Sequence, residues 1–384
     1  MVEIIADTKE IEQHLNNLVT GVENAGGFLN PHLRICCRDK NLTIEADESV
    51  QLGRSLISLP RTATLPLAQM NLQVEGNDIQ LRATGEMSAE QVKLAEAMVA
   101  IYNLTSKIAA HRECATDLLA YTDPDLLRRL TSDVFVARCL EQDETSFVLR
   151  SFLRGREFDH PSSQDDAAPN LVINPVIDFF NHHPLATSFG NDHGRTFVTR
   201  FSADASGAEC FVRYGQHDDH MMLVGYAYAE TKTPFVISQD MEIELPGIGT
   251  LVIHRRPELA HNFSAIPAQL RGAEPFLSAM KFDPEKRRLE IGCLHIPPAT
   301  MPHALRRILR FSIRGMKEGL RGRKLSEAVK SAEGQVVARN RAFYADLLQD
   351  LESYTLKPGT ELIVDNIKTV AASQLAKINA YVLG

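Results

Sequence analysis

The sequence predicts an α+β fold, a β-rich part interrupted by helices and then an all-helical C-terminal part. Three observations predict it. Short runs such as Leu33-Arg34-Ile35-Cys36 and Ser55-Leu56-Ile57-Ser58-Leu59, punctuated by Pro60 and Pro66, have the length and residue types of strands. Between residues 88 and 113 the apolar positions Val92, Ala95, Val99, Tyr102 and Ile108 switch to helical spacing. From about His303 onward, Leu305, Ile308, Leu309, Ile313, Met316 and Leu320 fall on one face of a helix.

In chain order, residues 8–24 read as a first helix, and Gly26 to about Leu81 as short strands and turns. Ser88 with Gln91 has the form of a capping box opening the next helix. Helical character continues to about residue 158; Pro124 starts one helix, with Leu127, Leu130 and Val134 on one side. Residues 161–166 read as a polar loop. Residues 171–256 read as strand again: 196–203 and 208–214 flank Asp204-Ala205-Ser206-Gly207, a hairpin turn, and further short strands surround Pro246-Gly247 and Gly249. The expected divisions are 1–87, 88–168 (a helical insertion), 169–265 and 266–384.

The 384-residue chain is long enough for two or three domains with a sizeable core. Its net charge of −8 makes it a poor general ligand for polyanions, which counts against nucleic acid as a partner. The six cysteines form no C-x-x-C or C-x-C cluster, so thiolate zinc is not indicated, and their low density fits a reducing compartment. The first residues, with Glu3, Asp7, Glu10 and Glu12, resemble neither a signal nor a transit peptide. No apolar run approaches the roughly 18 residues of a membrane span. A cytoplasmic protein without membrane attachment is the expectation.

The most informative stretch is Asn174-Pro175-Val176-Ile177-Asp178-Phe179-Phe180-Asn181-His182, followed after the expected hairpin by Phe211-Val212-Arg213-Tyr214-Gly215. These segments resemble the core of SET-domain protein methyltransferases. The resemblance is closest to the branch of Rubisco large-subunit lysine methyltransferase and actin-histidine methyltransferase. Gly53 to Arg61 is similar to that family's early strand ending in Pro-Arg, and Gly155-Arg156 stands where it has Ser-Arg or Thr-Arg. Asn181-His182 matches its Asn-His motif, Tyr214-Gly215 its Tyr-Gly motif, and Tyr226-Ala227-Tyr228 the following aromatic segment. Asn340 to Asp365 and Leu375-Ala376-Lys377 are loosely similar to its last helices.

The resemblance implies a β-rich SET domain in two parts (1–87 and 169–265) and a helical substrate-binding domain (266–384). It implies an S-adenosylmethionine-dependent protein N-methyltransferase acting on lysine, with histidine as the rival acceptor. Tyr214 would be catalytic. Asn181, His182, Leu42, Arg156 and Tyr228 would bind the cofactor, and Tyr226 and Phe180 would line the substrate channel. The physical requirements agree with those residue types. Aligning donor and acceptor contributes on the order of 7–11 kcal/mol. A tyrosine hydroxyl with backbone carbonyls holds a polarised methyl through C–H···O contacts of about 0.5–1 kcal/mol each. An apolar aromatic channel favours a neutral amine over an ammonium.

The sequence departs from the family where Gly-x-Gly is replaced by Asn41-Leu42-Thr43, and where Ala227 replaces a common glycine. The first departure motivates an alternative, a catalytically inactive SET-like protein that binds a partner. Another alternative is a His/Asp metal-dependent hydrolase, suggested by His217-Asp218-Asp219-His220 with His182, His183 and His193. Adjacent residues on one loop rarely converge on one ion, and no H-x-x-x-H spacing is present, so no metal site is expected and 217–220 reads as a solvated loop. The basic series Arg306, Arg307, Arg310, Arg314, Lys317, Arg321, Arg323 and Lys324 reads either as a solvated helix face or as a docking surface for a protein substrate, ahead of nucleic acid.

Overall fold

The computed structural model describes residues 2–83, 86–160, 171–192, 194–202, 208–255, 266–301 and 303–383. The expected polar loop at 161–166, the turn at 204–207 and His193 lie outside the described residues. The chain forms two compact units. The first comprises Met1–Gln216, Leu223–Tyr228 and Lys357–Ile363; the second comprises His217–Met222, Ala229–Leu356 and Val364–Gly384.

The first unit opens with β1 (Glu3–Ala6), α1 (Lys9–Asn24), β2 (Phe28–Leu29), β3 (Leu33–Arg38), β4 (Asn41–Ala46), β5 (Ser55–Pro60), β6 (Leu65–Pro66), β7 (Met70–Glu75) and β8 (Asp78–Ala83). Six helices follow: α2 (Ala89–Leu104), α3 (Lys107–Cys114), α4 (Leu119–Thr122), α5 (Pro124–Leu130), α6 (Asp133–Leu140) and α7 (Glu144–Arg154). Then come β9 (Phe158–Asp159), β10 (Leu171–Ile173), β11 (Asn181–His182), β12 (Gly190–Asp192), β13 (Arg195–Thr199) and β14 (Phe211–Val212).

Local chemistry explains most of these boundaries. The Thr8 hydroxyl accepts the Ile11 N–H at the start of α1, and Leu15, Leu18 and Val22 form its fully buried stripe. Each such side chain contributes about 1.5–3 kcal/mol on burial. Gly21 allows α1 to lie against α2, since a Cβ there would meet Leu94 Cδ2 at 2.8 Å. Both halves of the Ser88–Gln91 capping box are formed. The expected helix over 88–113 is two helices, because Ser106 takes a left-handed φ of +54° between α2 and α3. Pro124 starts α5 as expected, but Val134 is 62% exposed while Leu127 and Leu130 are buried. The helix stops at Leu130 and Ser132 caps a new one, which breaks the periodicity that had placed the three together.

The strands form small sheets ordered β1-β3-β4, β12-β13-β5-β2, β6-β10-β9, β11-β14 and β7-β8. This corrects the expected hairpin of 196–203 with 208–214. β13 pairs antiparallel with β12 and with β5, whereas β14 pairs in parallel with β11, Asn181 opposite Phe211 and His182 opposite Val212. Only one backbone bond, Phe211 N–H to Phe201 C=O at 3.0 Å, remains of that hairpin among the described residues. The Asn-His segment and the Tyr-Gly segment are thus direct neighbours.

α8 (Asp219–Tyr226) replaces a stretch read as strand. The second unit continues with β15 (Val236–Ile237), β16 (Met241–Leu245), β17 (Gly249–His254), β18 (Ala279–Asp283), β19 (Arg288–Gly292), β20 (His295–Ile296), α9 (Ala304–Met316), α10 (Gly322–Glu352) and α11 (Glu361–Ala380). The long C-terminal helices are those expected, but the part from 266 onward is not all-α. β18 and β19 join β16 and β17 in one four-stranded sheet, their apolar positions Ala279, Leu289 and Ile291 being buried there.

The segment 217–220 is not a solvated loop. Asp218 and Asp219 are fully buried. Asp218 accepts the Met221 N–H as the cap of α8 and pairs with Arg255; Asp219 pairs with Lys377 and accepts the Ser373 hydroxyl. His220 packs on Tyr344 and Phe343. These carboxylates are paired with Arg255 and Lys377 of their own unit, and among the described residues no group of three His, Cys, Asp or Glu is placed to hold a metal ion. The basic face is also smaller than expected. Arg306 turns inward to Glu333, which is 1% exposed and also accepts the Tyr381 hydroxyl. Lys317 donates to the Gly247 carbonyl and Arg323 to Glu327.

Candidate active site

Five segments of the first unit build one site: the last four contribute to the lining of a cavity of about 190 Å³, and the first backs it through Asp178. The first is the end of α2. The apolar face that docks α2 leaves Tyr102 pointing inward, and its hydroxyl donates to Asp178 Oδ2 at 2.8 Å. The second is the end of α7, an amphipathic helix capped by Asp143 that buries Phe147, Val148 and Phe152. Just past it, the Arg156 guanidinium lies over the Phe152 ring at 3.9 Å, donates to the Phe152 carbonyl, and stands 3.4 Å from Asp178.

The third is the chain from Pro175 to His182. Val176 is held at φ +65° while the Ile177 N–H donates to the Pro175 carbonyl at 2.8 Å, a γ-turn. A β-branched residue at positive φ is strained, and such strain concentrates at functional sites. The turn aims Asp178 and Phe180 into the cavity and delivers Asn181-His182 as β11.

The fourth segment is the end of β14. The Tyr214 hydroxyl donates to the Phe180 carbonyl at 2.6 Å, and the Tyr214 N–H donates to His182 Nδ1 at 3.2 Å. The second bond fixes Nδ1 of His182 as an acceptor, so its ring proton sits on Nε2. The fifth is the end of α8, where the Tyr226 ring lies 5.3 Å from that of Tyr214 and Tyr228 forms the exposed lip.

The electrostatics follow from this enclosure. Burial raises the Tyr214 phenol well above its ordinary value, with the Asp178 carboxylate adding to the effect, so the hydroxyl stays protonated. Burial likewise raises Tyr226 and pushes the Asp178 carboxyl up against the pull of Arg156. Behind Arg156, burial and then Arg156 itself lower His111 to about 3, so that imidazole is neutral.

Seven residues expected at the site line this cavity: Tyr214, Asn181, His182, Arg156, Tyr226, Tyr228 and Phe180. Asn181 is exposed and its amide donates to Glu209 at 2.8 Å. Leu42 does not line the cavity. It is a buried residue of β4 paired with Cys37, because the alternation of that strand turns it into the core. The histidines of the metal reading serve separate ends: His183 accepts the Leu185 N–H and packs on Phe201 and Phe211, away from the role His182 plays. Sequence reasoning missed Asp178, Tyr102, Glu157 and Phe189. Asp178 had a signal, a lone acid inside an apolar run, since a charge in such a run is buried only with partners.

No protein-family model matches the sequence, and no curated protein matches it. Among solved structures, the chain is similar to the SET domain of LSMT bound to lysine and AdoHcy. The TM-score is 0.43 at 12% identity, over 96% of this chain and 90% of that one. It is also similar to Rubisco LSMT bound to AdoMet, with TM-score 0.43 at 12% identity, over 95% of this chain and 91% of that one.

Ala227 also explains itself in three dimensions. It takes φ +56° between Tyr226 and Tyr228, a conformation that costs an L-residue roughly 1–2 kcal/mol. Ala227→Gly is expected to stabilise the protein by about 0.5–1 kcal/mol after the glycine's extra chain entropy is subtracted. A thermal melt checks this, and an unchanged or lowered midpoint would count against the strained conformation.

Proposed function

We propose that the chain is an S-adenosylmethionine-dependent protein N-methyltransferase of SET type, acting on a lysine side chain, with histidine as the rival acceptor. One observation carries the reading. The parallel pairing of β11 with β14 sets Asn181-His182 beside Tyr214, whose hydroxyl donates a hydrogen bond to the Phe180 carbonyl inside an aromatic cavity. With that proton engaged, the lone pairs of the Tyr214 oxygen are left as acceptors for polarised C–H groups.

When bound, S-adenosylmethionine would supply an electrophilic methyl on a sulfonium. The residues present fit its reacting end. The faces of Tyr214, Tyr226 and Phe180 suit a cation, and Arg156 suits a carboxylate. The cavity of about 190 Å³ is below the ~300–1,000 Å³ of small-molecule sites, so it takes that end rather than the whole molecule. Tyr226 and Tyr228 would exclude water from the acceptor and favour its neutral amine.

The protein substrate would dock partly on the C-terminal helices, and the place of action would be the cytoplasm. Among the described residues, no helix is long and apolar enough to cross a membrane.

A second reading, a SET-like protein that binds a partner without catalysis, is favoured by Asn41-Leu42-Thr43, where Leu42 belongs to the core. Calorimetric titration with S-adenosylmethionine and with S-adenosylhomocysteine separates the two. Saturable one-site heat supports the enzyme, whereas no heat with either ligand on folded protein moves the assignment to the non-catalytic reading.

A further inference from the structure

The second unit holds a larger cavity, of about 540 Å³, that methyl transfer does not use. Its floor is apolar: Met280 and Phe282 of β18, Leu289 of β19 and Phe311 of α9. Its rim is basic: Arg307, Arg310 and Arg314 of α9. Phe282 is 37% exposed, an aromatic ring left partly in water.

The three arginines differ from Arg306 on the same helix. Arg306 is spent on the buried Glu333. Arg307 donates to the Arg271 carbonyl and Arg310 to the Ser326 hydroxyl at 3.4 Å. None of the three is ion-paired with a carboxylate among the described residues, in a chain whose net charge is −8. Glu274 is the acidic group nearest in effect, its carboxyl held low first by backbone N–H bonds and then by Arg307.

We infer that this groove binds an acidic peptide segment carrying one apolar anchor residue. Arginine presents a planar fork that matches a carboxylate in two parallel hydrogen bonds. The charges are strung at positions i, i+3 and i+7, spanning about 10 Å along α9 at 1.5 Å per residue. They do not converge on a point, so they match carboxylates spaced along a chain rather than one small dianion. The floor of Met280, Phe282, Leu289 and Phe311 takes the anchor. A phosphate backbone would leave that apolar floor unused and would meet the overall negative charge. The inference sharpens the docking part of the proposed function. It does not depend on methyl transfer, because binding is measured without cofactor.

The probe is a short fluorescent peptide in which Glu and Asp flank one Phe, titrated with the full chain and followed by anisotropy. Saturable binding is expected, weakened roughly tenfold or more by the double substitution Arg310→Glu, Arg314→Glu, and by replacing the peptide's Phe with Ala. It should also weaken as salt rises. Both arginines are exposed, so the thermal melt of the double variant should match that of the parent. Phe282→Ala should remove the advantage of the Phe peptide over its Ala counterpart and leave the charge dependence intact. Equal binding by parent and double variant would overturn the inference. So would equal binding of a Lys-flanked peptide, or tighter binding of a single-stranded RNA oligomer that responds to the same substitutions. Failure of cofactor titration with retained peptide binding would remove the enzyme reading and leave this groove as assigned.

Discussion

If the chain is the proposed methyltransferase, Tyr214→Phe is expected to lower methyl transfer by ~100-fold or more while leaving S-adenosylmethionine affinity within about twofold. The magnitude is that of losing one preorganised polar contact to a reacting group. The hydroxyl is positioned by its bond to the Phe180 carbonyl, and burial keeps it protonated, so in the proposed reaction it would serve as an oriented dipole and not as a base. Its loss also leaves the Phe180 carbonyl without that donor, which costs about 1 kcal/mol of stability. Single-turnover transfer from labelled cofactor to a lysine-containing substrate reads the first effect, and calorimetry reads the affinity. A variant with full turnover would show that another group aligns the methyl.

The largest stability effect is expected at Arg255. Its guanidinium meets both oxygens of Asp218 at 2.7 and 2.9 Å and donates to the Ile237 carbonyl at 2.8 Å. Asp218 has a fully buried side chain. Arg255→Met leaves a carboxylate without its counter-charge in the interior, a change that costs about 3–5 kcal/mol. In a unit of this size that lowers the melting midpoint by roughly 10 °C. The double variant Asp218→Asn, Arg255→Met should recover part of the loss, because the unpaired charge is gone. A single variant melting within a degree or two of the parent would refute the buried pair.

The pH dependence follows from the sign of the shift. Burial pushes the Asp218 carboxyl up, but Arg255, His220 and the N–H groups of Met221 and Ile237 outweigh it and hold the group below its ordinary range. A carboxyl lowered on folding stabilises above its unfolded value of about 3.9. That contribution is lost as pH falls through the lower folded value. In Arg255→Met burial loses its main offset, so the gap between parent and variant should be full at neutral pH, begin to narrow as pH falls through the variant's raised carboxyl value, and close below the parent's lowered one.

Much of the architecture was legible because it is written locally. Thr8, the Ser88–Gln91 box and Pro124 mark helix starts through hydrogen bonds within a single turn. The face of α9 is set by a period of 3.6 residues, and Leu305, Ile308, Leu309, Ile313 and Met316 are buried as the spacing demands, whereas Leu320, expected on the same face, lies beyond the end of the helix. Seven of the eight residues expected at the site line one cavity; they were picked out along the chain by two short motifs, an aromatic triplet and Gly155-Arg156.

The remainder depended on partners far away in sequence. Whether β14 pairs with β13 or with β11 is not decided by either strand's own pattern, since both offer the same alternation and the same backbone groups. The sheet context resolves it, with β5 and β12 occupying both edges of β13. The cluster at 217–220 is polar by composition, yet it is buried because Arg255 and Lys377 arrive from positions 37 and 158 residues downstream of their aspartates. Leu42 shows the same limit in reverse, a plausible cofactor contact by motif position that strand alternation turns into the core. The sequence by itself determined where several helices begin, which faces are apolar and most of the candidates for the site. Only the tertiary structure decided which strands meet, which charges cancel and that Asp178 joins Tyr214, because pairing and neutralisation are properties of groups brought together by folding.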